Sequence, residues 1–525
     1  MPDVGRTLFW LGMKEKAKSL TKSAALVTLM VLGFKVLGFI KQSVVAFYFG
    51  ATAETDAYFT AYGFVSGISD ALIGSLSISV VALYTQTRIQ EGKEQAAKLI
   101  NALICMAFPT LILLAGILFA ASPLCARILA PAYDSEGLST VSEYIRILVP
   151  FLLFVAIQFT LTAVLDSHKS FFVSRMESFF YSVSVILSCV FLSGIFGVKS
   201  LVLARYASGV GFCLLIIISA GKFHKFFLAN PIKNPLTKTI LLTALPLFIG
   251  NSVLQINEIV DKAIASGLGE GATSALYYCQ VLEQFVSRVA IATIGNVLLA
   301  SFAENVAKKE NDKVVSILKK AINIILCFLA GVSVITIFCA RDIVEIVFFR
   351  GNFTIEAVDL ASVALIGYAI AFAAVAVREL SARGLYAFQD TKHPMITSII
   401  AIALNITLSI ILSRFMGLFG IALATSISAM AGMVINALFL KKHIPEYKYL
   451  YHGVTFLKCI PGLIVLAILC FVIQRFIVTG PIVRFAVATV LGFAIYIPIL
   501  YLMGISEVRQ YVSLGLKKLR RKRNQ

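Results

Sequence analysis

Apolar residues run along this chain in blocks of about 20, enough for a helix to cross the hydrocarbon layer of a bilayer. Polar residues gather in the short intervals between them. Fourteen such windows can be drawn, at roughly 24–49, 56–86, 99–121, 143–165, 171–196, 200–221, 237–266, 273–302, 317–340, 357–382, 394–413, 417–440, 455–477 and 481–503. The pattern predicts an all-α integral membrane protein of about 14 transmembrane helices. No long polar stretch is left over for a soluble domain.

The intervals differ in charge. With the amino terminus inside, the inside segments carry 32 Lys and Arg residues and the outside segments 7. Short cytoplasmic loops are rich in Lys and Arg, so both termini are expected in the cytoplasm. The net charge of +19 then needs no nucleic-acid partner. The basic run Lys517–Arg523 follows the last span, where such runs touch anionic lipid or fix orientation.

Composition agrees, with 59% hydrophobic and 14% charged residues, against roughly 25% charged in soluble domains. The first apolar run is too long for the core of a signal peptide. The nine cysteines are scattered, with no Cys-x-x-Cys pair and no Cys/His cluster, which argues against disulfides, zinc and iron–sulfur centres. Neither a cofactor nor a metal is expected. Motifs of metal or nucleophile chemistry such as H-E-x-x-H, G-x-S-x-G and D-x-D are missing, so an enzyme of lipid-linked sugars is disfavoured.

Some cations interrupt the apolar blocks. Lys35 and Lys41 lie inside the first window. A cation at mid-bilayer costs roughly 2.5–3.5 kcal/mol even on lenient scales, so such residues usually face a cavity or a partner. A shift of 221 residues carries Lys41 onto Lys262, Gly50-Ala51-Thr52 onto Gly271-Ala272-Thr273, and Phe64-Val65-Ser66 onto Phe285-Val286-Ser287. Asp166-Ser167 similarly resembles Asp390-Thr391. Each repeat unit holds six windows, so the two copies enter the membrane in the same direction, with a substrate site expected between them. The expected organisation is a cytoplasmic segment 1–22, a first lobe 23–222, a second lobe 223–443, two added helices in 444–504 and a basic cytoplasmic tail 505–525.

Lys35, Lys41 and Lys262 are the candidate substrate-binding residues. The acids Asp56, Asp70, Glu258 and Asp261 are candidates for gating or for neutralising these lysines, Asp56 being equally readable as a helix cap. Arg378, Glu379 and Arg383 are expected to form a network at the cytoplasmic end. Gly63-x-x-x-Gly67 reads as helix packing. Pro109, Pro150 and Pro246 read as kinks. Paired cations in a membrane repeat point to an anionic cargo.

Val36-Leu37-Gly38-Phe39-Ile40-Lys41, then Phe49-Gly50-Ala51, then Asp56-Ala57-Tyr58, resembles the opening of the MviN/MurJ family of lipid II flippases, within the polysaccharide- and multidrug-exporter superfamily. Val260-Asp261-Lys262, Gly351-Asn352-Phe353-Thr354 and Arg383-Gly384-Leu385-Tyr386-Ala387 through Asp390 extend the resemblance over nearly the whole chain. It implies two six-helix lobes around a cationic cavity that opens alternately inward and outward, and a lipid-tail groove on the last two helices. It implies export of an undecaprenyl-pyrophosphate-linked cell-wall precursor across the bacterial cytoplasmic membrane, driven by membrane potential or an ion gradient. The partners are then the anionic glycan lipid and membrane lipids, with cell-wall synthesis proteins as further candidates. A flippase for another lipid-linked polysaccharide, or a cation-coupled multidrug exporter, is the alternative.

The chain departs from the family pattern. Lysines stand at both arginine positions of the opening, Lys35 and Lys41; Tyr277-Tyr278 is followed by Cys279-Gln280-Val281; and the second span carries Ser69-Asp70 where members often have basic residues. Where some members bind sodium, the similar region offers Asn405, Ser409 and Thr425 without an acid, which argues against sodium there.

Overall fold

The computed structural model describes residues 30, 33–230, 235–308, 310–445, 447, 450–477, 480–510 and 512–513. The segment 1–22 and most of the basic tail lie outside them. Helices run throughout, and no strand occurs among the described residues.

In chain order the helices are α1 (residues 33–49), α2 (Ala53–Gln90), α3 (Lys93–Ala120), α4 (Ser122–Leu129), α5 (Ser135–Leu148), α6 (Leu152–Ser167), α7 (Phe171–Ser174), α8 (Glu177–Phe196) and α9 (Lys199–Ala220). Then follow α10 (Pro235–Ala265), α11 (Ala272–Ala307), α12 (Asn311–Phe348), α13 (Ile355–Ala369), α14 (Phe372–Ala387), α15 (Lys392–His443), α16 (Leu450–Phe476) and α17 (Pro481–Leu502). Among the described residues nine helices are long and apolar enough to cross a membrane, or ten if the bent pair α13 and α14 counts as one span. This is a coarser result than the fourteen windows. Part of the difference lies in α15, which is one continuous assignment of 52 residues but breaks at Gly417 (φ 55°, ψ −135°). That conformation suits a residue without a Cβ, so the windows 394–413 and 417–440 are two helices joined end to end. Pro150 falls in a 3₁₀ turn, Val149–Phe151, between α5 and α6. There the missing N–H of proline breaks one apolar stretch without ending it.

The chain divides into two compact units. The first comprises 1–45, 68–120 and 146–251. In it α8 packs on α9, and α6 on both α3 and α9. Gly209 admits the Phe151 ring and Gly211 the Phe180 ring, since a methyl group at either would lie within 2.9 Å of ring carbon.

The second unit comprises 46–67, 121–145 and 252–525. Here α12 packs on α13, α14, α16 and α17, and α14 packs on α15. The last two helices dock on α12 through small residues. Gly331 and Gly462 leave room for the buried Tyr496 ring, 2.9 Å from where a methyl group would sit on either, and Tyr496 donates to the Cys327 carbonyl at 3.0 Å. Arg484 of α17 pairs with the buried Asp342 of α12, which also accepts from Gln474 of α16. A buried carboxylate needs such partners, so this cluster ties the three helices at one end.

Candidate functional site

In the first unit the site grows from Lys41. Its helix packs on α8 where Phe34 meets Phe179 and where Gly38 faces Ser182. The Lys41 side chain is buried, with its ammonium 4.2 Å from the centre of the Tyr181 ring. Arg205 of α9 approaches the same ring, at 4.8 Å, and the Phe151 ring at 4.0 Å. Glu177 lies 3.9 Å from the Arg205 guanidinium. Aromatic faces attract cations, and the attraction grows to about 2 kcal/mol or more where water is excluded. Two cations thus share one aromatic platform, with a half-exposed carboxylate on one side. Lys35 is exposed about 1.7 turns earlier on α1, and its charge acts on Lys41.

Arg205 is absent from the sequence reading. A search for repeated cations passes over it, because shifts of 221 and 223 residues land on Ser426 and Ser428. The available signal was a lone arginine six residues inside an apolar window.

In the second unit Lys262 is buried 5.5 Å from the Tyr277 ring centre. Its amine occupies the space over Gly63, where a Cβ would fall 2.0 Å from Nζ. Gly67 likewise faces the Gln255 side chain. The small-residue pair expected to pack helices therefore seats two polar side chains, and Lys262 is held against both a glycine and a tyrosine. Glu258 and Asp261 are the acids whose charges act on Lys262.

Asp261 is buried and accepts a hydrogen bond from Ser409 Oγ at 3.0 Å. Ser409 also lies 3.4 Å from Asn405 Oδ1, and Asn405 donates to Thr425 Oγ1 at 3.0 Å. The group expected to lack an acid therefore has one, delivered from α10 across nearly 150 residues of sequence. The expectation against sodium there rested on that absence, and this premise does not hold.

Asp56 is buried at the start of α2 and accepts from the backbone N–H groups of Gly271 at 2.8 Å and Ser274 at 2.6 Å. It thus forms a cap, on α11 rather than on its own helix. Asp70 is exposed on α2 and belongs to the first unit.

Arg378, Glu379 and Arg383 line a cavity of about 680 Å³ in the second unit, together with Glu258 and Glu283. Arg383 Nε meets Glu379 Oε1 at 3.4 Å. Gly432 makes room for the Arg378 side chain, whose Cδ would be 2.8 Å from a methyl group there. A second cavity, about 470 Å³ and almost wholly apolar, lies along α12 and α17, lined by Phe328, Phe493, Tyr496 and Leu500.

Among the described residues the chain is helical, with several membrane-spanning helices, buried cations and an apolar side groove, features that suit a membrane carrier. Comparison with known proteins makes the class specific. Residues 45–503 match the family described as Lipid II flippase MurJ, and the chain belongs to that family. A probable lipid II flippase MurJ of Rhizobium tropici is 27% identical over 421 residues, covering 78% of this chain and 79% of that protein. The lipid II flippase MurJ of Burkholderia cenocepacia is 24% identical over 429 residues, covering 79% of this chain and 83% of that protein. In fold, the chain resembles a structure titled "Lipid II flippase MurJ, inward closed conformation" with a TM-score of 0.78 and 22% identity, over 90% of this chain and 98% of that one. It also resembles an inward-facing multidrug-resistance transporter of the MOP superfamily, with a TM-score of 0.65 and 14% identity over 81% of this chain and 98% of that one. The family is one of transporters, and a bilayer is the setting for the many apolar helices.

Proposed function

We propose that this chain moves lipid II, an undecaprenyl-pyrophosphate-linked glycan, from the inner to the outer leaflet by alternating access. Family membership across residues 45–503 carries the reading. The Lys41–Arg205 pair over Tyr181 supports it, because a pyrophosphate stripped of water needs cations in its place. The apolar groove along α12 and α17 suits a polyprenyl tail. The organisation we infer is 14 spans in a six-plus-six-plus-two plan, with both termini cytoplasmic.

Membrane potential is a sufficient drive. Each negative charge moved outward across 100 mV releases about 2.3 kcal/mol. The Asp261, Ser409, Asn405 and Thr425 group favours a second contribution, from a cation such as sodium, since it joins one buried carboxylate to three neutral oxygens.

The deciding test is growth of cells depleted of their own lipid II flippase. The wild-type chain should sustain growth. Lys41→Ala and Arg205→Ala should not, at equal membrane abundance, while Lys41→Arg should keep much of the activity. Failure of the wild type overturns the cargo. Full activity of both alanine variants removes the cationic platform from the mechanism.

A further inference from the structure

We propose that Asp390, His393 and His443 form a binding site for one transition-metal dication of the zinc class. The three residues lie in the second unit, at the end of α15 that carries Lys441 and Lys442. The function proposed above makes no use of them.

The break at Gly417 creates the site. An unbroken helix of this length would measure about 78 Å at 1.5 Å per residue, and its ends could not meet. With the chain reversed there, His393 in the first turn of α15 and His443 in its last turn both reach one carboxylate. Asp390 Oδ2 lies 2.5 Å from His393 Nδ1 and 2.6 Å from His443 Nε2. The three ligand atoms lie within 4.8 Å of one another.

The surroundings hold this geometry. Gln389 adopts a left-handed backbone (φ 60°), and the Asp390 N–H bonds back to the Leu385 carbonyl at 3.1 Å, fixing the loop between α14 and α15. The His393 N–H donates to Asp390 Oδ1 at 3.1 Å, leaving Oδ2 to the rings. Phe388 stacks on His443, with ring centres 5.3 Å apart, and Phe439 lies 4.2 Å from His393. The Asp390 side chain is 8% exposed and the two imidazoles 27% and 31%, so an ion can enter from solvent and meet a nearly buried carboxylate.

The donor set decides the ion. Two imidazole nitrogens and one carboxylate oxygen suit zinc and its neighbours, and they suit magnesium or calcium poorly. Three protein ligands leave one tetrahedral position for water. Metal–ligand bonds near 2.0–2.1 Å separate tetrahedral ligand atoms by about 3.3 Å. The ring nitrogens at 2.5 and 2.6 Å from Asp390 Oδ2 therefore need to draw back by somewhat under 1 Å. Each imidazole must present a bare nitrogen to the metal, so the proton that it directs at Asp390 has to leave that atom, and binding should weaken as the pH falls. A bound ion would join both ends of α15 to the preceding loop.

The test uses full-length protein without a polyhistidine tag, stripped with a chelator. Zinc is titrated in competition with a chromophoric chelator. We expect one ion per chain, and at least a tenfold weaker affinity in His443→Ala and in Asp390→Asn. Cobalt(II) added to the wild type should show the intense visible bands of a four-coordinate ion, a measurement that needs no variant to fold. Zinc affinity in the wild type equal to that of a His393→Ala/His443→Ala double variant overturns the proposal. So does a weak, six-coordinate cobalt spectrum.

Discussion

Asp56 and Glu270 cap each other's helices. The Asp56 carboxylate takes the N–H groups of Gly271 and Ser274 at the start of α11, while Glu270 Oε1 takes the Ala53 N–H at the start of α2, 3.1 Å away. Each acid sits at the positive end of the other helix, where its charge also meets the macrodipole. Tyr278 donates to the Gly50 carbonyl at 3.1 Å, and Asn352 Nδ2 to the Tyr48 carbonyl at 2.6 Å, so three turns are bound into one knot. Gly50 and Gly351 are required there. Both have positive φ, and a methyl group on either would fall 2.2 Å from a carbonyl oxygen of the facing turn.

Replacing Asp56 by alanine should therefore cost about 1–2 kcal/mol, the upper range for a lost cap, because the site is buried. Glu270→Ala should cost less, since Glu270 is exposed. Thermal unfolding of the purified protein reads both. A wild-type melting temperature for Asp56→Ala with transport abolished would make Asp56 a gate rather than a cap.

Gly63→Ala should cut transport severely by displacing the Lys262 amine. Gly67→Ala should be milder, because the added atom would lie 2.9 Å from Gln255 Oε1, against 2.0 Å from the Lys262 amine at Gly63. The two positions separate in a double-mutant cycle. In a Lys262→Ala background, Gly63→Ala should have no further effect on complementation. An additive loss would mean that Gly63 acts through helix packing.

His224 gives a pH dependence. It follows α9 and is buried, 3.2 Å from Asn101 Oδ1. Asn101 Nδ2 is already donating to the Lys225 carbonyl at 2.9 Å, so the histidine must be the donor to Oδ1. Among the described residues its Nδ1 meets no hydrogen-bond partner. Burial pushes its pKa down to about 4, from about 6.5 in the unfolded chain. Below pH 6.5 the unfolded state takes the proton first, so stability should be constant above that pH and fall between about 6.5 and 4. The loss attributable to this group is on the order of 1–3 kcal/mol, and His224→Gln should flatten it. Unfolding midpoints measured from pH 7.5 to 4.5 check this; an equal slope in the variant would sink it.

Orientation is open to labelling. In a background without the native cysteines, Ser135→Cys at the exposed start of α5 should react with an impermeant thiol reagent added outside cells. Asn311→Cys at the start of α12 should react only after lysis. The reverse pattern would invert the assignment made from the loop charges.

The apolar blocks determined by themselves that this chain is helical and lives in a membrane, since segments of that length and composition have no other stable solution. The repeat of Lys41 at Lys262 was also legible, because a costly cation at matching places in two copies stands out from its neighbours. The spacing of Gly63 and Gly67 was visible too, but their use was not. A small-residue pair signals close approach without saying whether a helix or a lysine will approach.

Only the tertiary structure decided which distant residues share a site. Arg205 joins Lys41 because α9 and α1 both reach Tyr181 of α8, and Asp261 supplies an acid to Ser409 from far along the chain. Asp390, His393 and His443 meet because one glycine reverses a long helix. Periodicity and hydropathy are local and record the solvent around a segment. Contacts between segments depend on packing and on bends set by single residues such as Gly417, and a linear pattern carries no trace of which ends those bends bring together.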